Sequence, residues 1–370
     1  MKDGVTDRSD FPGMCEKCGL HKDPLITTII PTYQRPHLLK RAIQSALDQT
    51  MPLIQVCIYD NASQDETANA VGTMAKRDQR VKYYRHPNQI DAAANFQFGI
   101  KAVNTPFFSI LADDDLLIPD FYETALAKLK VFPSAQFFLG STIDVKENGN
   151  ILSANALRWE EKCYDPPFGL YHAIKNYFNW TGALFRKEVR QNVTIDPSLK
   201  PIDLDFVLRL AAQSPFVVSK KPCALFFHHP HSYSIKAGSK LVWPSWPKIV
   251  QNLEAIQTLS EGEKKRSKEF MQTMLQKMFV RISLGQIVAK EFEGARKTLT
   301  LFKEQFPQNP KGKMLHSLLN YAQKQNAIHW LFQCAFRLLQ TLKTLRLQWK
   351  YGALVKKTFP SVPSFRLELP

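Results

Sequence analysis

An α/β fold with a mainly parallel sheet and helices on both faces is what this sequence predicts, on three observations. Short apolar runs alternate with segments of helical period from Leu25 to Phe132, the pattern of βαβ units whose crossover helices cover both faces of a sheet. Polar clusters recur where the apolar runs end: "PTYQR" at 31–35, "DNAS" at 60–63 and "ADDD" at 112–115. From Trp246 onward the strand pattern stops and helical period takes over.

The elements follow in order. "LITTII" reads as a strand, "RPHLLKRAIQSALDQ" as a helix, "IQVCIYD" as a strand, and a helix starts near Asp65, where Ser63 and Glu66 have capping-box spacing. "VKYYRH", a helix around "DAAANFQFGIKAV", the strand "FFSILAD" and the helix "PDFYETALAKLKVF" continue the alternation. "AQFFLGSTIDV" is a further strand, with a turn at "ENGN", and "PIDLDFVLRLAAQ" is a further helix. In open sheets of this kind ligands bind beyond the strand carboxyl ends, so the three polar clusters mark one rim.

At 370 residues with 44% hydrophobic and 22% charged content, the chain supports a large core and two domains. The net charge of +16 is uneven: residues 1–235 carry 26 Lys and Arg against 25 Asp and Glu, and residues 236–370 carry 23 against 8, with no Asp at all. The composition predicts an N-terminal arm over 1–24, an α/β domain over 25–235 and a basic helical region over 236–370. No apolar leader and no uncharged run long enough to span a bilayer is present in these residues, so a cytoplasmic protein is expected. Cys57 and Cys223 sit in apolar strand-like runs as packed thiols, and a disulfide framework is not expected. Cys15, Cys18 and His21 have the spacing of half a zinc knuckle without a second half, which leaves a metal site and a solvated arm both open.

Asp113, Asp114 and Asp115 repel one another unless a cation or a set of donors lies between them, which points to a binding site. The alternative is a helix N-terminus starting at Pro119, whose dipole the carboxylates would complement. "IPTYQRPHLLKRAIQSALDQT", "IYDNASQDET", "LADDDLLIP" and "IDLDFVLRL", in that order, resemble a family 2 glycosyltransferase of GT-A fold over roughly residues 25–235.

The resemblance implies a sugar-nucleotide donor, with UDP favoured, and a Mn2+ or Mg2+ ion that neutralises the leaving diphosphate. On the family pattern Asp114 binds the metal and Asp113 the ribose, while Ala112 stands where a first acid is frequent. Asp60 matches the acid that reads a pyrimidine ring N–H, although an Asx turn would equally explain it. Pro31, Thr32, Tyr33 and Arg35 flank the nucleotide, and Asn95 is the retained half of an Arg-Asn pair. An inverting displacement needs a base for the acceptor hydroxyl; Asp203 matches it, with Ile202 in place of the family Glu and Asp205 in support. In "FFHHPHSYS", His229 is favoured over His228 and His231 as a metal or diphosphate ligand. Trp180, Thr181 and Gly182 are expected on the acceptor side, with a core position equally open for Trp180. The acceptor implied is a glycan or lipid-linked hydroxyl. The basic tail fits an anionic membrane surface, a solvated face or an oligomer contact. Nucleic-acid binding is disfavoured, because the rim-bearing part is nearly neutral; a catalytically silent scaffold of the same fold remains the other alternative.

Overall fold

The computed structural model describes residues 23–155, 159–176, 180–229, 239–324 and 326–360. Cys15, Cys18, His21 and His231 lie outside the described residues. The first half alternates as expected: β1 (Ile26–Thr32), α1 (Pro36–Leu47), β2 (Ile54–Asp60), α2 (Thr67–Arg77), β3 (Val81–Arg85), α3 (Ala92–Lys101) and β4 (Phe107–Ile110). Then come β5 (Leu116–Leu117), α4 (Phe121–Val131), β6 (Phe137–Lys146), β7 (Ile151–Ala154), β8 (Cys163–Tyr164), α5 (Phe168–Lys175), β9 (Ala183–Arg186), α6 (Val189–Asn192), α7 (Ile202–Gln213) and β10 (Phe216–His228). Helices α8 (Ser239–Glu254), α9 (Glu261–Val288), α10 (Phe292–Gln305), α11 (Pro310–Lys324) and α12 (Asn326–Thr358) complete the fold.

The sheet runs in the order β3-β2-β1-β4-β9-β6-β10-β5, with β7 on β6 and β8 on β10. Strands β3, β2, β1 and β4 are mutually parallel, whereas β9 runs antiparallel between β4 and β6. The half from β3 to β4 is thus the parallel sheet expected, and the other half is mixed. In the ladder Thr32 lies beside Asp60, and Asp60 beside Arg85, which sets three strand ends in a row.

Period-2 alternation divides the core between two layers. Ile26, Ile30, Val56 and Ile58 pack under Leu39 and Ile43 of α1 and Phe121 of α4. Ile29, Cys57 and Tyr59 face α3, and the same cluster continues through Phe206 of α7 to Trp246 of α8, Met271 and Phe279 of α9 and Phe302 of α10. The basic helical region therefore shares a core with the sheet. Its last helix returns to it: Leu347, Tyr351, Val355 and Phe359 cover Ile143, Val145, Ile151, Leu225 and Phe227. Among the described residues no helix is long and apolar enough to cross a membrane, and Cys57, Cys163, Cys223 and Cys334 are free thiols.

Two local expectations are corrected. Ser63 does not cap α2, because its hydroxyl accepts from the Gln34 backbone N–H at 2.9 Å; Asp65 instead accepts from the Thr67 N–H at 3.0 Å. A full capping box does form at Ser260 and Glu263, at the start of α9. Nor do the three aspartates complement the dipole of α4. Strand β5 separates them from a helix that starts at Phe121, after Pro119 rather than at it.

Candidate active site

The loops after β1 and β2 are tied together before any side chain reaches outward. Asn61 N–H donates to Thr32 O at 3.0 Å, and the Asn61 amide exchanges two 2.8 Å hydrogen bonds with the Ile90 backbone. Gln34 and Ala62 adopt φ of 54° and 61°, the left-handed turns that bring these loops together. Arg85 Nη2 donates to Ser63 O at 2.7 Å. Such cross-bracing holds a rim in one geometry.

Asp60 is fully buried at the end of β2. Its Oδ1 accepts from Ser63 N–H at 3.0 Å, the turn role that the sequence left open, and its Oδ2 accepts from the Tyr83 hydroxyl at 2.5 Å. Arg85 Nε lies 3.7 Å from Oδ2. Tyr83 and Arg85 were not singled out from sequence; the alternation in "VKYYRH" puts both on one face, and the ladder register then carries Arg85 to Asp60. Pro31 is buried next to Thr32, and Tyr33 is exposed at the mouth of the same loop.

The three consecutive aspartates point three ways. Asp113 Oδ2 accepts from Thr32 Oγ1 at 2.8 Å, and its Oδ1 from Arg35 Nη1 at 3.1 Å. Asp114 Oδ2 accepts from the same Arg35 nitrogen at 3.2 Å and lies 3.0 Å from His229 Nε2. Asp115 is buried and turned inward, with Oδ2 accepting from Thr181 Oγ1 and Oδ1 from Phe227 N–H, both at 2.9 Å. Repulsion along the run is thus relieved by a bridging guanidinium for two members and by neutral donors for the third.

Burial, reinforced by the neighbouring Asp114 charge, pushes the Asp113 carboxyl up to about 6, against Arg35 and the Thr32 hydrogen bond. Burial and then Asp114 hold Asp115 well above the ordinary carboxylate range, against its two donors. Arg41 of α1 stacks between Phe227 and Phe359, 4.9 and 4.5 Å from the ring centroids, and burial lowers its pKa while Glu147, Asp114 and Asp115 oppose that shift.

Several residues expected to line the rim instead support it. Asn95 is buried, its amide donating to Tyr59 O at 2.9 Å and its carbonyl 2.9 Å from His86 Nε2, so it fixes β2 to the segment leading into α3. Trp180 is 5% exposed, with Phe96 and Phe206 packed at 5.2 and 5.8 Å between ring centroids. Thr181 is committed to Asp115, and its carbonyl accepts from Thr142 Oγ1 at 2.7 Å. Gly182, at φ 89°, makes the turn whose carbonyl accepts from Gly140 N–H at 3.0 Å. Asp205 is buried against Arg209, at 2.8 Å from Nε, and against Asn252 of α8 at 3.0 Å. These groups form the floor under Asp115 and the joint between α7 and α8. Asp203 lies half-buried in the first turn of α7, and His228 Nε2 is 3.8 Å from Asp144 Oδ1.

Among the described residues no group of three His, Cys, Asp or Glu side chains converges on a point. Asp114 and His229 form a two-member donor set. One carboxylate and one imidazole fit a Mn2+ or Mg2+ ion that takes its other ligands from phosphate oxygens and water. Arg35 sits against the same carboxylate and brings a positive charge to the spot.

Residues 27–193 match the family model described as glycosyl transferase family 2. Chondroitin synthase of Escherichia coli is 26% identical over 223 residues, which is 60% of this chain and 31% of that one. The Campylobacter jejuni GalNAc(5)-diNAcBac-PP-undecaprenol beta-1,3-glucosyltransferase is 30% identical over 106 residues, 28% of this chain and 34% of that one. The chain thus spans about a third of the length of these relatives. S. aureus TarS 1–349, solved with UDP-GlcNAc, shares the fold at a TM-score of 0.57 and 14% identity, covering 85% of this chain and 91% of that one. The Pyrobaculum calidifontis mannosyltransferase PcManGT, solved with GDP-Man and Mn2+, does so at 0.51 and 15%, covering 87% of each chain.

Proposed function

We propose that the chain, whose residues 27–193 match the glycosyl transferase family 2 model, moves a sugar from a nucleotide-diphosphate donor, with UDP favoured, to a hydroxyl of a glycan or lipid-linked acceptor at the cytoplasmic face of a membrane, with inversion. The observation that carries this reading is the convergence of Thr32, Arg35, Asp113, Asp114 and His229 from the ends of β1, β4 and β10. Two carboxylates, one fixed cation and one imidazole at a single rim suit a ribose diphosphate better than a neutral ligand.

In this account Asp113 accepts from ribose hydroxyls, and Tyr33 covers the base. Asp60 reads the base N–H once the Tyr83 hydroxyl moves aside, which makes Tyr83 a gate on base recognition. Arg35 neutralises diphosphate charge from one side. Asp114 and His229 would hold a divalent cation, which supplies further positive charge toward the leaving group. Asp203 takes the proton of the acceptor hydroxyl as its oxygen bonds the anomeric carbon. The bond from that carbon to the diphosphate breaks on the opposite side, and the electron pair leaves with the nucleotide.

The test is nucleotide release from a panel of UDP-sugars and GDP-mannose with Mn2+, for wild type, Asp114→Ala and Asp203→Asn. One donor is expected to turn over, at a rate lowered by about 10² or more in each variant. Equal release by all three proteins would reject the site assignment.

A further inference from the structure

Helix α12 has two apolar faces, and the chain covers one of them. Leu347, Tyr351 and Val355, with Phe359 just beyond the helix, bury against β6, β7 and β10. On the opposite side Leu338, Leu342, Leu345 and Trp349 are 61%, 54%, 39% and 90% exposed. Their spacing of four, three and four residues aligns them in one stripe about 16 Å long. Exposed Arg346, Lys350, Lys356 and Lys357 follow or flank that stripe, and residues 326–358 contain six Lys and Arg and no acidic residue.

We propose that this outer face of α12 lies in the plane of an anionic lipid bilayer. An apolar stripe with basic flanks, ending in a tryptophan, matches the headgroup boundary, where apolar side chains insert and cations meet lipid phosphates. The helix is not apolar enough to cross a bilayer, so it rests on the surface. A second copy of this chain is the less suitable occupant, because it would bring an equally basic helix face to face with this one.

The attachment also orients the rim. Phe359 packs on Phe227 at 5.1 Å between ring centroids, the Phe227 N–H donates to Asp115, and His229, two residues on, meets Asp114. With α12 on the bilayer the candidate active site stands on the order of 10–20 Å from the lipid, one to two helix diameters. That is within reach of an acceptor whose lipid is embedded there. The orientation rests on the transferase reading; binding to lipid does not.

The experiment is co-sedimentation of the full chain with vesicles of phosphatidylcholine alone and with phosphatidylglycerol added. It compares wild type with Leu342→Gln/Trp349→Gln and with Arg346→Glu/Lys350→Glu. Circular dichroism and donor hydrolysis serve as controls for folding. Wild type is expected to bind the anionic vesicles at least tenfold more tightly than the neutral ones, since each positive charge at the surface contributes roughly fivefold. Both double variants should lose at least tenfold while keeping wild-type spectra. Binding that is absent, indifferent to lipid charge or unchanged in the variants overturns the proposal. So does a stripe variant whose only effect is to turn a dimer into a monomer, which would assign the face to a second copy. A wild type that binds vesicles but hydrolyses no donor would sink the transferase reading and leave the lipid result standing.

Discussion

Asp114 meets Arg35 and His229 whereas its neighbour Asp115 turns inward, and exchanging each for asparagine separates their effects. Asp115 accepts from Thr181 Oγ1 and Phe227 N–H in a fully buried position. Asp115→Ala leaves two buried donors unmet at about 1–3 kcal/mol each, or about 2–6 kcal/mol together. Asp115→Asn still accepts from Phe227 and its amide pairs with the Thr181 hydroxyl, so the change at neutral pH is expected within about 1 kcal/mol of zero. The pH dependence gives the sharper signature. Because burial raises the folded-state pKa of Asp115, its contribution is fully present below the unfolded value near 4 and is lost as pH rises through the folded value. Asparagine does not titrate, so Asp115→Asn should gain stability relative to wild type as pH goes from 4.5 to 7.5. Urea unfolding at those two pH values measures this, and donor hydrolysis measures the other half. Asp115→Asn should turn over donor within a few-fold of wild type, and Asp114→Asn should not. Were Asp115→Asn to fold normally and yet be as inactive as Asp114→Asn, Asp115 would be a ligand and the inward assignment wrong.

Asp205→Ala strands the largely buried Arg209 guanidinium, and urea unfolding should show a loss of about 3–5 kcal/mol, with activity per folded molecule nearly unchanged. Gly140→Ala would place a Cβ 2.6 Å from the Cys223 Cβ; overpacking of about 1–3 kcal/mol is expected as a lower melting temperature, and full native stability would contradict the β6–β10 packing. Arg35→Ala removes the cation shared by Asp113 and Asp114. Calorimetry should find metal-free UDP binding weakened about tenfold or more and Mn2+ bound more tightly; the reverse on both counts would show that Arg35 is not the fixed charge of the site.

The parallel half of the fold was legible because β1 and β2 are covered on both faces and so read as short, mostly apolar and β-branched runs without strict alternation. The rim followed from it, since each polar cluster closes a strand. Strand β9 was not legible as antiparallel: four residues with little alternation carry no sign of direction. Long-range pairs were also hidden. Asp114 and His229 are 115 residues apart and Trp180 rests on rings from α3 and α7, so nothing local in the sequence brings these partners together. Ser63 shows the same limit at short range. Its capping spacing is real, yet the Gln34 N–H claims the hydroxyl. Sequence could not divide the tail into its covered and exposed faces, because the apolar residues of α12 lie on both sides of the helix.

Whether a nucleotide sits at this rim is read from calorimetric titration of UDP with Mn2+ into wild type, Asp60→Asn, Asp114→Asn and Asp203→Asn. Wild type and Asp203→Asn should bind UDP alike, while Asp60→Asn and Asp114→Asn should lose at least tenfold. Equal affinity in all four proteins, or no UDP binding by wild type, would contradict the placement of a nucleotide at the ends of β1, β2 and β4.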